Sequence, residues 1–461
     1  MSDKLKGIPE NMVSQVPKGV EVKIADPITV KLDKMPEIVN KKKEKIKIFW
    51  YSDFLRHTGF GNVAEELVSR LNKTGKYTIV VLGINYHGVP YCTPKSEYYH
   101  LRDIPVYPAF SAGARASLFG YDVLESFLRS QEFDIFFSLQ DAFNLIPMHD
   151  VISKTKKIKG YKYILYFPVD GDIKKTWVEK AIKLADKPIT YTEFGKQKVK
   201  EKNEFVNVDV IPHGVDLEKF KPFSTPKERT NFRSEYFGIG EEVFLISNVN
   251  RNQPRKDLPR TILAFKKFCE QNKNINAKLY LHCHPRDEAG HRLHEFSENY
   301  LPESLWDRII MPPEDLMSGN GVSSEVLRKI YASSDMVTST AFGEGWGLST
   351  VEAMACKVPV VMPNNSATTE IVGANNERGY LVKSGGDNLS DYITLKFDNE
   401  LLRPLTDIDD LVKNWKYVYD NREEAKSKAE EAYKWLQEYT WDKVAKKWED
   451  VFDSLYADKV K

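Results

Sequence analysis

The chain has 461 residues, 41% hydrophobic and 29% charged, and 67 Lys and Arg against 66 Asp and Glu leave a formal net charge of +1. At roughly 150 residues per domain, that length predicts two large domains or three ordinary ones. The charge balance excludes a polybasic nucleic-acid binder and an acidic disordered chain, so no nucleic-acid partner is expected.

Residues 1–44 show weak periodicity and several prolines and end in Lys41-Lys42-Lys43-Glu44-Lys45, which predicts an N-terminal extension. The lysine run reads as a solvated cluster or as a peripheral membrane contact. No apolar stretch stands behind the charges of MSDKLKGIPE, and the longest apolar runs are strand-sized, so neither a secretory signal nor a spanning helix is expected. Four scattered cysteines, Cys92, Cys269, Cys283 and Cys356, suit a reducing compartment, and the expectation is a cytoplasmic protein.

From Lys45 apolar runs alternate with helical stretches, the signature of βαβ units and a parallel sheet. The first unit is a strand at Ile46–Tyr51, a loop from Ser52 to Thr58, a helix from about Asn62 and a strand at Tyr77–Leu82. Val63, Leu67 and Leu71 place one apolar stripe of that helix on the sheet. A helix around 115–131 and strands at Ile135–Leu139, Tyr163–Val169, Pro188–Thr192 and Val208–Ile211 complete a doubly wound domain over 45–215.

Pro212, Pro222 and Pro226 then mark a linker, after which the alternation restarts. Strands are expected at Val243–Val249, Lys278–Cys283, Arg308–Met311, Met336–Ser339 and Val358–Met362. Helices are expected at Leu258–Gln271, Ser324–Ala332 and Ser349–Cys356. These form a second α/β domain over 216–430. In the terminal stretch 431–461, Trp441, Val444, Trp448, Val451, Phe452 and Leu455 share one helical face that must pack on something, with the first domain a candidate.

Open α/β sheets place ligands at the carboxyl ends of their strands, and clefts between domains favour substrates. The first such loop, Gly59-Phe60-Gly61-Asn62-Val63-Ala64, matches G-x-G-x-x-[GA]. Glycines there let backbone approach a phosphate at a helix N-terminus. A dinucleotide fold also needs a carboxylate ending the second strand, and IVVLGINYHG has none, which weighs against NAD(P) or FAD. The second loop carries Arg251, Arg255 and Lys256 ahead of a helix, where acids are usual, so an anion would resolve the conflict. A solvated basic loop is the plainer reading.

The third stretch, FGEGWGLSTVEAMAC, sets Glu344 in a glycine-rich turn and Glu352 on a helix. Ser349-x-x-Glu352 reads as a capping box, which would explain Glu352 structurally. Glu344 has no such role and is poised to accept bonds from sugar hydroxyls. Asn364 to Glu370 add small polar groups at the same edge. His282, Cys283, His284, His291 and His294 suggest zinc, but alternation turns Cys283 away from its neighbours and no metal is expected. Asp170 and Asp172 face the cleft or form an Asx turn.

The TGFG loop, Arg251-x4-Lys256, the Glu344-x7-Glu352 block and VPVVMPNNSATTEIV together resemble the GT-B glycosyltransferases of family 4, which are retaining and use nucleotide sugars. The likeness covers about 45 to 460. It implies two Rossmann-like domains facing across a cleft, acceptor on the first and donor on the second, with a C-terminal helix crossing back. It implies that Glu344 binds donor-sugar hydroxyls, Glu352 the nucleotide ribose, and Arg251 with Lys256 the diphosphate. Gly59 and Gly61 would approach the donor phosphates, and Gly345, Gly347, Leu348, Ser349 and Thr369 would line the donor pocket. Such enzymes need no metal and no cofactor beyond the nucleoside diphosphate sugar. Where many relatives carry a histidine that contacts the sugar, this chain has Val169-Asp170-Gly171, making Asp170 the candidate there.

The expected function is transfer of a hexose from a UDP- or GDP-sugar to a hydroxyl of a carbohydrate, lipid-linked or protein acceptor. An epimerase on the same fold is the alternative, with His213 a candidate member of its site. A non-catalytic sugar or nucleotide binding module is the rival from another class.

Overall fold

The computed structural model describes residues 45–460 apart from 89, 111–116, 319–320 and 397. The predicted extension 1–44, with its Lys41–Lys43 run, lies outside the described residues.

Seven parallel strands form the first sheet: β1 (Ile46–Asp53), β2 (Tyr77–Ile84), β3 (Val106–Pro108), β4 (Ile135–Leu139), β5 (Lys162–Phe167), β6 (Lys187–Thr190) and β7 (Asp209–Val210), in the order β3-β2-β1-β4-β5-β6-β7. Ile46 faces Tyr77 across β1 and β2, and Ile48 faces Ile135 across β1 and β4. IFFSL in β4 is buried throughout, as expected of a strand covered by helices on both faces.

The second sheet is also wholly parallel: β8 (Phe244–Val249), β9 (Ala277–His282), β10 (Ile309–Ile310), β11 (Met336–Thr338), β12 (Val360–Pro363) and β13 (Tyr380–Val382), in the order β10-β9-β8-β11-β12-β13. A separate antiparallel hairpin, β14 (Tyr392–Thr394) and β15 (Leu402–Pro404), follows it. Two doubly wound Rossmann-like halves therefore make an α/β fold of the GT-B type. The hairpin and the helices Ile408–Asp420 and Arg422–Leu436 have no counterpart in the sequence-based expectations.

The helix expected from Asn62 begins three residues earlier, at Gly59. Thr58 is its N-cap: its hydroxyl accepts the Gly61 N–H at 3.0 Å and donates to Asp53 at 2.7 Å. A Cβ on Gly61 would lie 2.2 Å from the Arg56 carbonyl oxygen, so the turn requires glycine.

The last helix, Trp441–Val460, lies on the first sheet. Trp441, Val444, Trp448, Phe452 and Leu455 are buried, and the Trp448 ring sits 5.1 Å from Phe137 and 4.8 Å from Tyr166. Arg70–Asp442, Lys76–Glu449 and Lys459–Asp134 ion pairs rim the contact. The chain passes between the two halves at two adjacent places: Val215 N–H donates to Tyr439 O at 2.8 Å, and a Cβ on Gly214 would lie 2.6 Å from the Trp441 ring. No helix among the described residues is long and apolar enough to cross a membrane.

Candidate active site

The carboxyl ends of β8, β11 and β12 converge on one point. Lys256, in the loop after β8, is ion-paired with Glu344, in the loop after β11, and each side chain is 12% exposed. Burial draws the Lys256 ammonium below its ordinary value against the opposing pull of Glu344. The Glu344 backbone is pinned from β12's side: its N–H donates to Ser366 Oγ at 2.8 Å and its carbonyl accepts from Ala367 N–H at 3.3 Å.

The first half supplies the opposite wall. Asp170, just past β5, lies 3.4 Å from Arg255 and accepts from Arg403 at 2.9 Å. Burial raises its carboxyl, but Arg255 and Arg403 outweigh burial and hold it below the usual carboxylate range. Arg255 also donates to the Gly343 carbonyl and lies 3.9 Å from Glu344. A Cβ on Gly343 would stand 1.7 Å from the Asp170 carbonyl oxygen, so only glycine lets the loops of the two halves touch. Gly345 sits against Pro168 in the same way.

Two helix N-termini meet nearby. Gly59 opens the first helix, Leu348 opens the helix Leu348–Ala355 behind its N-cap Gly347, and a methyl on Gly59 would lie 3.9 Å from Leu348 Cδ1. A Cβ on Gly347 would lie 3.8 Å from Glu344 Cβ, so the helix opened by Leu348 starts beside the Lys256–Glu344 pair and its N-terminal N–H groups add positive potential there.

Glu352 corrects an expectation. Its helix is capped by Gly347 and starts at Leu348, so Ser349 is a half-buried first-turn residue and no capping box forms. Glu352 instead accepts the Tyr331 hydroxyl at 2.8 Å, and burial pushes its carboxyl up to about 7. It faces the helix Ser324–Ser333, away from the Lys256–Glu344 pair.

Arg251 stands apart from the pair as well. It donates to Asp287 at 3.0 Å with its side chain 62% exposed, and Arg255 takes the place beside Glu344. Thr369 donates to Asn364 at 2.8 Å on the outer part of the same edge. Asp172 pairs with Lys202 on the first half's own surface.

His213 is buried among Tyr166, Tyr191, Trp346 and Trp441. Tyr166 gives its hydroxyl proton to Ile211 O and so takes the His213 Nδ1–H. Burial pushes His213 down to about 3, which keeps the ring neutral. His282 bonds the Tyr280 hydroxyl, Cys283 is buried, and no cluster of three His, Cys, Asp or Glu suited to a metal exists among the described residues.

Residues 230–435 match the family described as glycosyl transferases group 1. That stretch, which makes up most of the second half of a GT-B fold, is similar to a group 1 glycosyltransferase domain. A probable sucrose-phosphate synthase of Thermosipho melanesiensis is 24% identical over 284 residues, 58% of this chain and 54% of that protein. The chain spans about half the length, or less, of the curated relatives it matches. Anabaena HepE, solved with UDP and glucose, is 16% identical with a TM-score of 0.62 over 89% of this chain and 100% of its own. Sucrose-phosphate synthase from Thermosynechococcus elongatus is 14% identical with a TM-score of 0.68 over 90% and 100%. These structural likenesses establish the fold alone.

The site also holds residues that the sequence motifs do not single out. Arg255 lies within the cationic loop, one position before Lys256, where the Arg251-x4-Lys256 motif gives it no role. Arg403 and Asp141 carry no motif at all; Asp141, two residues past β4, is pushed up to about 7 by burial and by the Asp170 charge.

Proposed function

We propose that the protein is a retaining glycosyltransferase of family 4 that moves a hexose from a nucleoside diphosphate sugar to an acceptor hydroxyl, with donor on the second half and acceptor on the first. The observation that carries this reading is the buried Lys256–Glu344 pair beside the N-terminus of the helix Leu348–Ala355. Diphosphate oxygens would draw Lys256 from Glu344, while Arg255 adds its charge from its place between Gly343 and Asp170. Glu344, released from Lys256, would accept the sugar's hydroxyls. The cations and N–H dipoles would then stabilise the charge of the departing diphosphate, which grows in the transition state. Asp170, held ionised, would take the place of the sugar-contacting histidine. Arg251, exposed at its Asp287 partner, would swing to the outer phosphate. No metal is required for this charge balance. That HepE was solved with UDP and glucose on this fold supports the assignment.

The test is incubation with UDP- and GDP-hexoses. A bound donor held at a hundred times its dissociation constant should stabilise the fold by about 2.7 kcal/mol. Transferred hexose, detected by mass and with the donor's anomeric configuration kept, is the expected product. Stabilisation without turnover would favour a binding module; neither effect would sink the reading.

The ribose role of Glu352 has its own pH signature. In the free protein this carboxyl titrates at about 7, and ribose hydroxyls would bond its ionised form. Binding must therefore release a proton below that pH. Affinity for UDP should rise as pH increases through about 7 and level off above it, and Glu352→Gln should flatten the profile. Calorimetry between pH 5.5 and 8.5 checks this, and a flat wild-type profile rejects it.

A further inference from the structure

The hairpin β14–β15 belongs to neither main sheet, yet it joins the two halves. Leu401, 7% exposed, packs into the first half's apolar cluster with Phe167, Val169 and Ile173. Arg403, 3% exposed, reaches the cleft. Its Nε and Nη2 donate to Asp398 at 2.7 and 3.0 Å, a two-toothed bond inside the hairpin that aims the guanidinium in advance. Its Nη1 then donates to both the side chain and the carbonyl of Asp170, at 2.9 and 3.1 Å.

The fit around this group is close. A Cβ on Gly171 would lie 2.6 Å from Arg403 Nη1, and one on Gly343 would lie 3.5 Å from it. Asp170 thus stands between two guanidinium groups, Arg403 from the hairpin and Arg255 from the donor loop. Arg255 in turn touches Gly343 and Glu344, the partner of Lys256. One chain of charges runs from Asp398 to Lys256. A simple tether between the halves would need neither the buried fork nor its preset aim.

We propose that Arg403 is a positioning residue for transfer, fixing the Asp170 carboxylate and, through it, Arg255 in the arrangement Glu344 and Lys256 use. The proposal rests on the reading that this cleft transfers a sugar. Arg403 acts on turnover more than on donor affinity, because it touches Asp170 rather than the donor-side pair.

The experiment compares full-length wild type, Arg403→Gln, Arg403→Lys, Asp170→Asn and the Arg403→Gln/Asp170→Asn double variant with the UDP- or GDP-hexose that the wild type turns over. Arg403→Gln should lower kcat by about tenfold or more while leaving the dissociation constant for the free nucleoside diphosphate unchanged. Its acid limb should move to higher pH, since Asp170 keeps only one of two cations and must be ionised to act. Arg403→Lys should restore the limb but not the full kcat, because a point charge cannot reproduce the fork. The double variant should be no slower than Asp170→Asn alone.

Wild-type kcat with an unshifted limb in Arg403→Gln overturns the proposal, and so does additivity in the double variant. If Arg403→Gln fails to fold, Arg403→Lys decides: a reduced kcat at unchanged melting temperature supports the proposal, and wild-type kcat overturns it. A wild type that turns over no nucleotide sugar overturns the parent reading instead, which separates the two failures.

Discussion

Lys256→Ala is expected to lower the transfer rate by about 10²–10³-fold, the usual effect of removing one preorganised donor from a developing anion. The expectation follows from where the ammonium sits. It is 12% exposed, so its field is weakly screened, and burial already draws it below its ordinary value, so it gains by meeting an anion. Alanine leaves Glu344 with Arg255 at 3.9 Å, which spares the fold an unpaired buried carboxylate. Loss should therefore appear in kcat rather than in stability. Arg255 cannot take over, because its guanidinium is already committed to Gly343 and Asp170. Steady-state kinetics on the folded variant check the prediction. A kcat within threefold of wild type would place the diphosphate elsewhere and direct attention to Arg251.

Much of this cleft was legible in the sequence because its parts are local. Lys256, Glu344 and Gly345 stand in strand-end loops whose composition conflicts with their position, cations at a helix start and a carboxylate between glycines. Such conflicts mark functional sites. Arg403 could not be found that way. It lies 233 residues from Asp170, in a hairpin with no alternating apolar pattern, and only the fold brings the two within 2.9 Å. Glu352 shows the opposite failure. Ser349-x-x-Glu352 obeys the capping-box pattern, yet Gly347, with φ of +92°, starts the helix earlier and turns the glutamate toward Tyr331. A tertiary partner overrode a local rule.

The fold divides along the same line. Strands buried on both faces, such as Ile135–Leu139, read as continuous apolar runs and were placed to the residue. Short edge strands such as Val106–Pro108 and Tyr380–Val382 lack that signal, since three residues carry no periodicity. Asp141 shows how this reaches the site: it lies two residues past a well-predicted strand, but its carboxyl is raised by burial in the folded cleft and then by Asp170 in the next loop.

The terminal helix makes a second strong test, on stability. Trp448→Ala is expected to cost about 3–5 kcal/mol, the range for emptying a buried aromatic site. Trp448 is wholly buried between Phe137, Tyr166 and Phe452, so the void would be walled by strands β4 and β5, which cannot collapse inward without breaking their ladders. Against 5–15 kcal/mol for a typical domain, that is a large share. Trp448→Phe should cost much less. It keeps most of the ring and removes an indole N–H that has no hydrogen-bond partner among the described residues, a buried donor whose desolvation is uncompensated. Urea titrations of the three proteins give the comparison. A loss under about 1 kcal/mol in Trp448→Ala would mean that the helix is held by its rim ion pairs rather than by this ring, which exposed pairs seldom achieve. The same helix continues the strand-like crossing at Thr440, paired with Val215 where the chain first passes between the halves. Loosening it should therefore reduce transfer before it reduces nucleotide binding, because the pair Lys256–Glu344 lies within the second half and the Asp170 wall does not.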